Sequence, residues 1–407
     1  MKATFKLQNP WRYNSNYSIQ YHKRAILSEL LKNWGPQKII GLVGSRQVGK
    51  SSIIYLLIDH LIRKKIDPKN IFYFNLDAFP LHELFSKVAD LVYFMGIKGG
   101  DTRKADTKYL FIDEIQRLKN PGLFLKELYD LHLNLVIVYS GSSQIEIKSK
   151  LKEHLVGRVR MYEIQRLSFE EYLEFRRPIL KEQAFKDYLV YGSYPAVALA
   201  DSDGERVLAL RDIVQTYIQK DIIEFLHVED PVAFNKLLVL LAHQIGNLLS
   251  LEKCAKTLQL PRKEIKKYLA ILEQTFILKF IYPFYKNYSK EIRKSSKVYF
   301  LDLGLRNFLI KNFESVELRS YDNGALFENF YLLQLLNEDI YGLNSIRYWR
   351  TTNQTEIDFI IQSPKKTWAV ETKWSESGKP KSFETLASYY PKIMPHVMTK
   401  EHYLKNT

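Results

Sequence analysis

The residues Gly44-Ser45-Arg46-Gln47-Val48-Gly49-Lys50-Ser51 follow the spacing GxxxxGK[S/T]. Glycine at each end lets the backbone curl until several N–H groups face one anion, and the lysine adds a fixed positive charge. The motif stands where that chemistry needs it, after an apolar run (38–44) and at the head of a helical stretch (50–62). It predicts an ATP site: Gly44, Ser45, Arg46, Gln47, Val48 and Gly49 wrapping the phosphates, Lys50 on the β and γ phosphates, Ser51 on magnesium, and Ser52 beside it.

A second set of residues supplies what hydrolysis requires. The apolar run Tyr109-Leu110-Phe111-Ile112 ends in Asp113-Glu114. Asp113 is expected to hold Mg2+ through water, and Glu114 to polarise the attacking water. Paired acids here point to an ATPase of the additional-strand class rather than a simple kinase. The next strand-like run, 135–140, ends in Ser140-Gly141-Ser142-Ser143. Ser142 is the expected γ-phosphate sensor, with Ser140 the alternative. Arg158, with Arg160 nearby, is placed to act as an arginine finger on the nucleotide of a neighbouring subunit. That role predicts a homo-oligomer, a complete or partial ring, with a hexamer among its forms.

Near the C-terminus, Glu356-Ile357-Asp358 opens one strand-like run, and Trp368-Ala369-Val370-Glu371-Thr372-Lys373 follows a short hairpin later. An acid on one strand and Glu-x-Lys on its partner is the layout of PD-(D/E)XK nucleases. Period-two alternation puts Glu371 and Lys373 on one face. Asp358 and Glu371, with Glu328 from an upstream helix, would share a magnesium ion, and Lys373 would steady the transition-state charge. Cleavage and DNA binding without cleavage both remain open on this pattern.

The third chemistry is phosphate neutralisation. Residues 251–300 hold twelve Lys or Arg against four Glu and no Asp. Arg262, Lys263, Lys266 and Lys267 cluster on a presumed recognition helix; Lys286, Lys290, Arg293, Lys294 and Lys297 follow in a wing or linker. Such a cluster binds DNA with salt-sensitive, largely sequence-independent affinity.

The elements that must position these residues are legible as patterns. Apolar runs at 38–44, 71–76, 109–112 and 135–140 alternate with helical stretches, so residues 1–166 read as a parallel α/β core. Residues 167–228 are helical in pattern and would suit a lid. Residues 229–296 read as a winged helix-turn-helix: Asp230-Pro231 caps one helix, Ser250 a second, and a Gln259-Leu260-Pro261 turn leads to a third. Residues 297–407 read as a smaller α/β domain. At 407 residues the chain can hold two or three domains. Its 60 basic against 45 acidic residues favour polyanionic partners. The single Cys254 excludes a disulfide framework or a thiolate zinc cluster. No apolar run is long enough to span a bilayer and no signal peptide is visible, so the expectation is a cytoplasmic protein without a membrane partner.

Taken together, Arg46-Gln47-Val48-Gly49-Lys50, Phe111-Ile112-Asp113-Glu114-Ile115-Gln116, Gly157-Arg158, Leu167-Ser168-Phe169-Glu170-Glu171-Tyr172 and Phe300-Leu301-Asp302-Leu303-Gly304-Leu305 resemble one family. It is the bacterial and archaeal AAA-type ATPases with a C-terminal nuclease-like domain of unknown function. Tyr191-Gly192-Ser193-Tyr194-Pro195 departs from its usual Gly-Gly-aromatic-Pro. The resemblance implies an AAA-type fold, a C-terminal restriction-endonuclease-like domain, ATP binding and DNA contact. The resulting expectation is an ATP-hydrolysing protein that remodels or translocates on DNA, branched DNA included. The alternatives are an ATP-gated regulatory or defence module and an ATP-controlled, magnesium-dependent endonuclease.

Overall fold

The computed structural model describes all residues except 1, 15–16, 37, 79–80, 100–105, 142–154, 156, 225–227, 286–294, 376–377 and 379. The chain divides into two compact units, Met1–Ile164 and Gln165–Thr407. The first contains α1 (Lys2–Gln8), α2 (Ile26–Lys32), β1 (Ile39–Val43), α3 (Lys50–Arg63), β2 (Ile71–Asn75), α4 (Val88–Gly99), β3 (Lys108–Asp113), α5 (Pro121–Asp130), β4 (Leu135–Gly141) and β5 (Val159–Glu163). Its five strands lie in the order β2-β3-β4-β1-β5, every neighbouring pair parallel. β1 and β4 are buried along their whole length, as parallel strands covered by helices must be. The inserted β4 separates β1, which feeds the glycine loop, from β3, which ends at Asp113. This is the additional-strand arrangement expected from the paired acids.

The free edge of β2 is closed by side chains. Asn9 Nδ2 donates to the Tyr73 carbonyl and Tyr73 N–H donates to Asn9 Oδ1, both at 2.8 Å. Gln8 makes the same two-way pairing with Asn75 at 3.2 and 3.0 Å. Arg12 Nη1 donates to the Ile71 carbonyl at 2.8 Å. Alternate edge residues are therefore satisfied without a sixth strand, which hides an edge that would recruit one.

The second unit opens with α6 (Phe169–Arg176), α7 (Lys181–Tyr191), α8 (Pro195–Leu199), α9 (Asp203–Ile213) and a π-helical stretch, Val214–Glu224. Then come α10 (Pro231–Ala242), α11 (Leu251–Leu258), α12 (Arg262–Gln274), and an antiparallel hairpin of β6 (Leu278–Ile281) and β7 (Lys297–Phe300). Asp230 and Ser250 cap their helices as their positions predict, accepting from the N–H groups of Ala233 and Lys253. Three helices and a hairpin occupy the stretch expected to form a winged helix-turn-helix, and the hairpin runs past the expected end at 296. The boundary at 297 falls inside the hairpin, because Lys297 pairs with Ile281 and Phe300 with Leu278.

The chain ends with α13 (Leu303–Leu309), α14 (Asn323–Glu338), β8 (Ser345–Arg350), β9 (Glu356–Gln362), β10 (Thr367–Lys373), α15 (Lys381–Tyr389), β11 (Met394–Thr399) and α16 (Lys400–Asn406). The four strands form a mixed sheet in the order β11-β10-β9-β8. Two of the sequence fingerprints meet in this unit. Buried Asp302 caps α13 through Leu305 N–H and accepts from Ser193 N–H at 2.8 Å. Gly304 lies so close to the Tyr191 carbonyl that an added Cβ would stand 1.8 Å from its oxygen. The Leu301-Asp302-Leu303-Gly304 and Gly192-Ser193 motifs are therefore locked together by backbone contact and by the Asp302 carboxylate.

Candidate functional site

The glycine loop joins β1 to α3. Val43 lies beside Gly141 in the sheet, and Ile112 beside Tyr139, so the loop, Ser140 and Asp113 gather at one end of adjacent strands. Gly44 is held by close approach: a Cβ there would stand 2.4 Å from the Ile164 carbonyl oxygen. Gly49 takes φ 93° immediately before α3, a conformation glycine adopts without strain. Lys50, almost wholly buried, donates to the carbonyls of Gly44 at 2.9 Å and Ser45 at 2.7 Å. The Ser45 hydroxyl is buried without a partner among the described residues. Ser51 and Ser52, half-buried, lie in the first turn of α3, whose N–H groups have no partner within the helix. A lysine folded onto loop carbonyls, an orphaned hydroxyl and a helix N-terminus fit a triphosphate.

The acids are held as a set. Asp113 is fully buried; its Oδ2 accepts from Tyr73 OH at 2.9 Å and its Oδ1 from the Ser140 hydroxyl. Ser140 Oγ also accepts from Glu114 N–H at 3.1 Å. Glu114 turns out of the strand at φ 58°, and its carboxylate accepts from Gln116 Nε2. Ser140, the alternative in the sequence, therefore connects both acids. Ser142 lies outside the described residues. The sequence reading missed Arg24, buried, whose Nη1 donates to the Val48 carbonyl at 2.7 Å and pins the loop from outside its motif. It also missed Tyr73 and Gln116. Only a partner strand's register or a neighbouring position would have revealed them.

Arg158 is elsewhere. Its carbonyl accepts from Ile39 N–H, so it stands at the start of β1, about 13 Å along the strand from the loop. Its guanidinium pairs with Asp130 at 3.2 Å and sits over the Tyr129 ring. It does not reach the loop of its own chain.

In the second unit, Arg262, Lys263, Lys266 and Lys267 are all exposed on α12, as expected. Arg262 pairs with Glu252 at 3.2 Å, and Lys267 with Glu229 at 2.6 Å. Lys286, Lys290, Arg293 and Lys294 lie outside the described residues. Lys297 requires a correction: it is 2% exposed and cannot serve a DNA-facing wing.

Lys297 is instead buried among the acids expected to bind metal. Its Nζ lies 2.6 Å from Glu356, 3.0 Å from Glu328 and 3.7 Å from Asp358. Burial alone would lower its pKa, but the three carboxylates outweigh that and hold it above the ordinary lysine value. Burial pushes Glu328 up to about 7 against the pull of Lys297. Asp358 Oδ2 accepts from the backbone and hydroxyl of Thr372 at 2.8 and 2.9 Å. Glu371 is taken by Lys373 at 2.8 Å and by the Ser382 hydroxyl. The quartet Glu328, Asp358, Glu371 and Lys373 does come into one neighbourhood, since Lys373 feels all three acids. Among the described residues, however, no group of three acid, histidine or cysteine side chains is arranged to hold a metal ion.

Residues 36–173 match a family described as an AAA domain. Residues 182–316 and 323–404 match two domains of unknown function, DUF8612 and DUF4143. The first of these runs across the boundaries expected at 228 and 296. An uncharacterised protein of Methanocaldococcus jannaschii is 28% identical over 362 residues, covering 81% of this chain and 73% of its own. One from Haemophilus influenzae is 28% identical over 339 residues, 78% of each chain. Among solved structures, AMPPCP-bound DnaA from Aquifex aeolicus covers 65% of this chain and 92% of its own, at 14% identity and a TM-score of 0.29, too loose a likeness to argue from. Among the described residues no helix is long and apolar enough to cross a membrane. The inserted-strand sheet, the loop at 44–51 and the acids at 113–114 agree with the AAA-domain match over residues 36–173, which two matches to domains of unknown function follow.

Proposed function

We propose that the chain hydrolyses ATP and uses the turnover to remodel DNA or move along it, branched DNA included. The observation that carries hydrolysis is the contact chain Tyr73–Asp113–Ser140–Glu114 beside the phosphate loop. The loop amides and Lys50 would bind the phosphates; Ser51, and Asp113 through water, would hold Mg2+, which when bound offsets phosphate charge. Glu114, steadied by Gln116, takes the proton of a water whose oxygen bonds to the γ-phosphorus as the bond to the bridging oxygen breaks. Arg158, distant from its own loop, favours action on the nucleotide of a neighbouring copy in a homo-oligomer, with a hexameric ring as one form. The exposed bases of α12 support grip on DNA phosphates without reading sequence.

Steady-state ATP hydrolysis, measured with linear, forked and four-way DNA, tests this reading. DNA should stimulate the wild type many-fold. Lys50→Ala should lose ATP binding, and Glu114→Gln should bind ATP without turning it over. Slow hydrolysis indifferent to every DNA would replace the motor with an ATP-gated DNA-binding module. Retained turnover in Glu114→Gln would remove the assigned base.

A further inference from the structure

We propose that Lys297 is a built-in cation standing where a nuclease of this strand layout would hold its metal, so that the C-terminal sheet domain does not cut DNA. The first argument is coordination. An ammonium has three donors, and here it meets three carboxylates, two of them at 2.6 and 3.0 Å, ordinary lengths for charged hydrogen bonds. Magnesium needs oxygens near 2.1 Å in octahedral array and keeps much of its water. The second argument is commitment of the acids. Glu328 also accepts from Tyr299 OH at 2.5 Å, and Glu356 from Arg350 at 3.2 Å. Asp358 is held by Thr372, and Glu371 by Lys373 and Ser382.

The third argument is that Lys297 has nowhere to go. It belongs to a strand of the β6–β7 hairpin, and Leu248 bridges to its backbone. The Tyr348 ring lies 5.9 Å from its Nζ. Gly246, at φ 73°, packs closely on Glu328 from one side: a Cβ there would stand 3.2 Å from its carboxylate. The charges also balance within one: Lys297, Lys373 and Arg350 answer Glu328, Glu356, Asp358 and Glu371. A divalent ion added to this set would have to displace a buried ammonium and repel it at close range.

Mn2+ binding to the nucleotide-free, full-length protein, followed by electron paramagnetic resonance, tests the proposal. The wild type should show no Mn2+ that Asp358→Asn removes, and no DNA cleavage in Mg2+ or Mn2+. Lys297→Met, which keeps the length and drops the charge, should raise Mn2+ affinity at this cluster by at least about tenfold. Lys297→Arg, which keeps the charge, should not. A wild-type Mn2+ site abolished by Asp358→Asn would overturn the proposal. So would a folded Lys297→Met, verified by circular dichroism, that gains no metal. If Lys297→Met does not fold, the wild-type comparison with Asp358→Asn still decides.

Discussion

Ser140→Ala removes one oxygen that serves both acids of the nucleotide site. The hydroxyl donates to a fully buried carboxylate and accepts the N–H of Glu114. A hydrogen bond to a charged group is worth about 1.5–3 kcal/mol, and Asp113 keeps its Tyr73 partner, so a loss of about 2 kcal/mol is expected. For a unit of this size that lowers the melting temperature by about 4–8 °C. If the same energy is lost from positioning Glu114, turnover falls about thirtyfold. ATP affinity should hardly change, because the loop and Lys50 make their contacts without Ser140. Calorimetry reads the first effect and single-turnover hydrolysis the second. Wild-type turnover with an unshifted melt would refute the idea that Ser140 joins the two acids in function.

Arg158→Ala should retain ATP affinity and lose hydrolysis, and mixing it with Glu114→Gln subunits should restore part of the rate; a monomer under ATP with no rescue would remove the ring. Changing Arg262, Lys263, Lys266 and Lys267 to Glu should weaken binding to all DNA sequences alike and reduce the salt slope by about four, which binding in graded salt would measure. Gly304→Ala would drive a Cβ into the Tyr191 carbonyl and should cost about 3 kcal/mol in urea unfolding, with nucleotide affinity as the unaffected control.

The phosphate loop was readable because its chemistry is contiguous: backbone, lysine and serine fall within one turn of chain. Asp113-Glu114 was readable because an apolar run ends on it. Ser140 was not separable from Ser142, since only the pairing of β4 with β3 brings one of them beside Asp113. Lys297 was misread for a related reason. It follows four bases and looks like their continuation, but strand pairing turns it inward to the acids of β9 and α14. Arg24 and Gln8 carry no local signal at all; their partners lie 24 and 67 residues away. Sequence spacing reports neighbours along the chain, and burial depends on neighbours in space.

The two-way clasp between Asn9 and Tyr73 also bears on how the protein ages. An asparagine amide is ordinarily converted to a carboxylate when the next residue's backbone nitrogen attacks its side chain and ammonia leaves. At position 9 that change would turn the group facing the Tyr73 carbonyl from donor to acceptor, setting two oxygens against each other. The next residue is Pro10, whose nitrogen carries no hydrogen to give up, so that route is closed. The side chain that seals the sheet edge is thus shielded from slow chemical conversion by the residue that follows it.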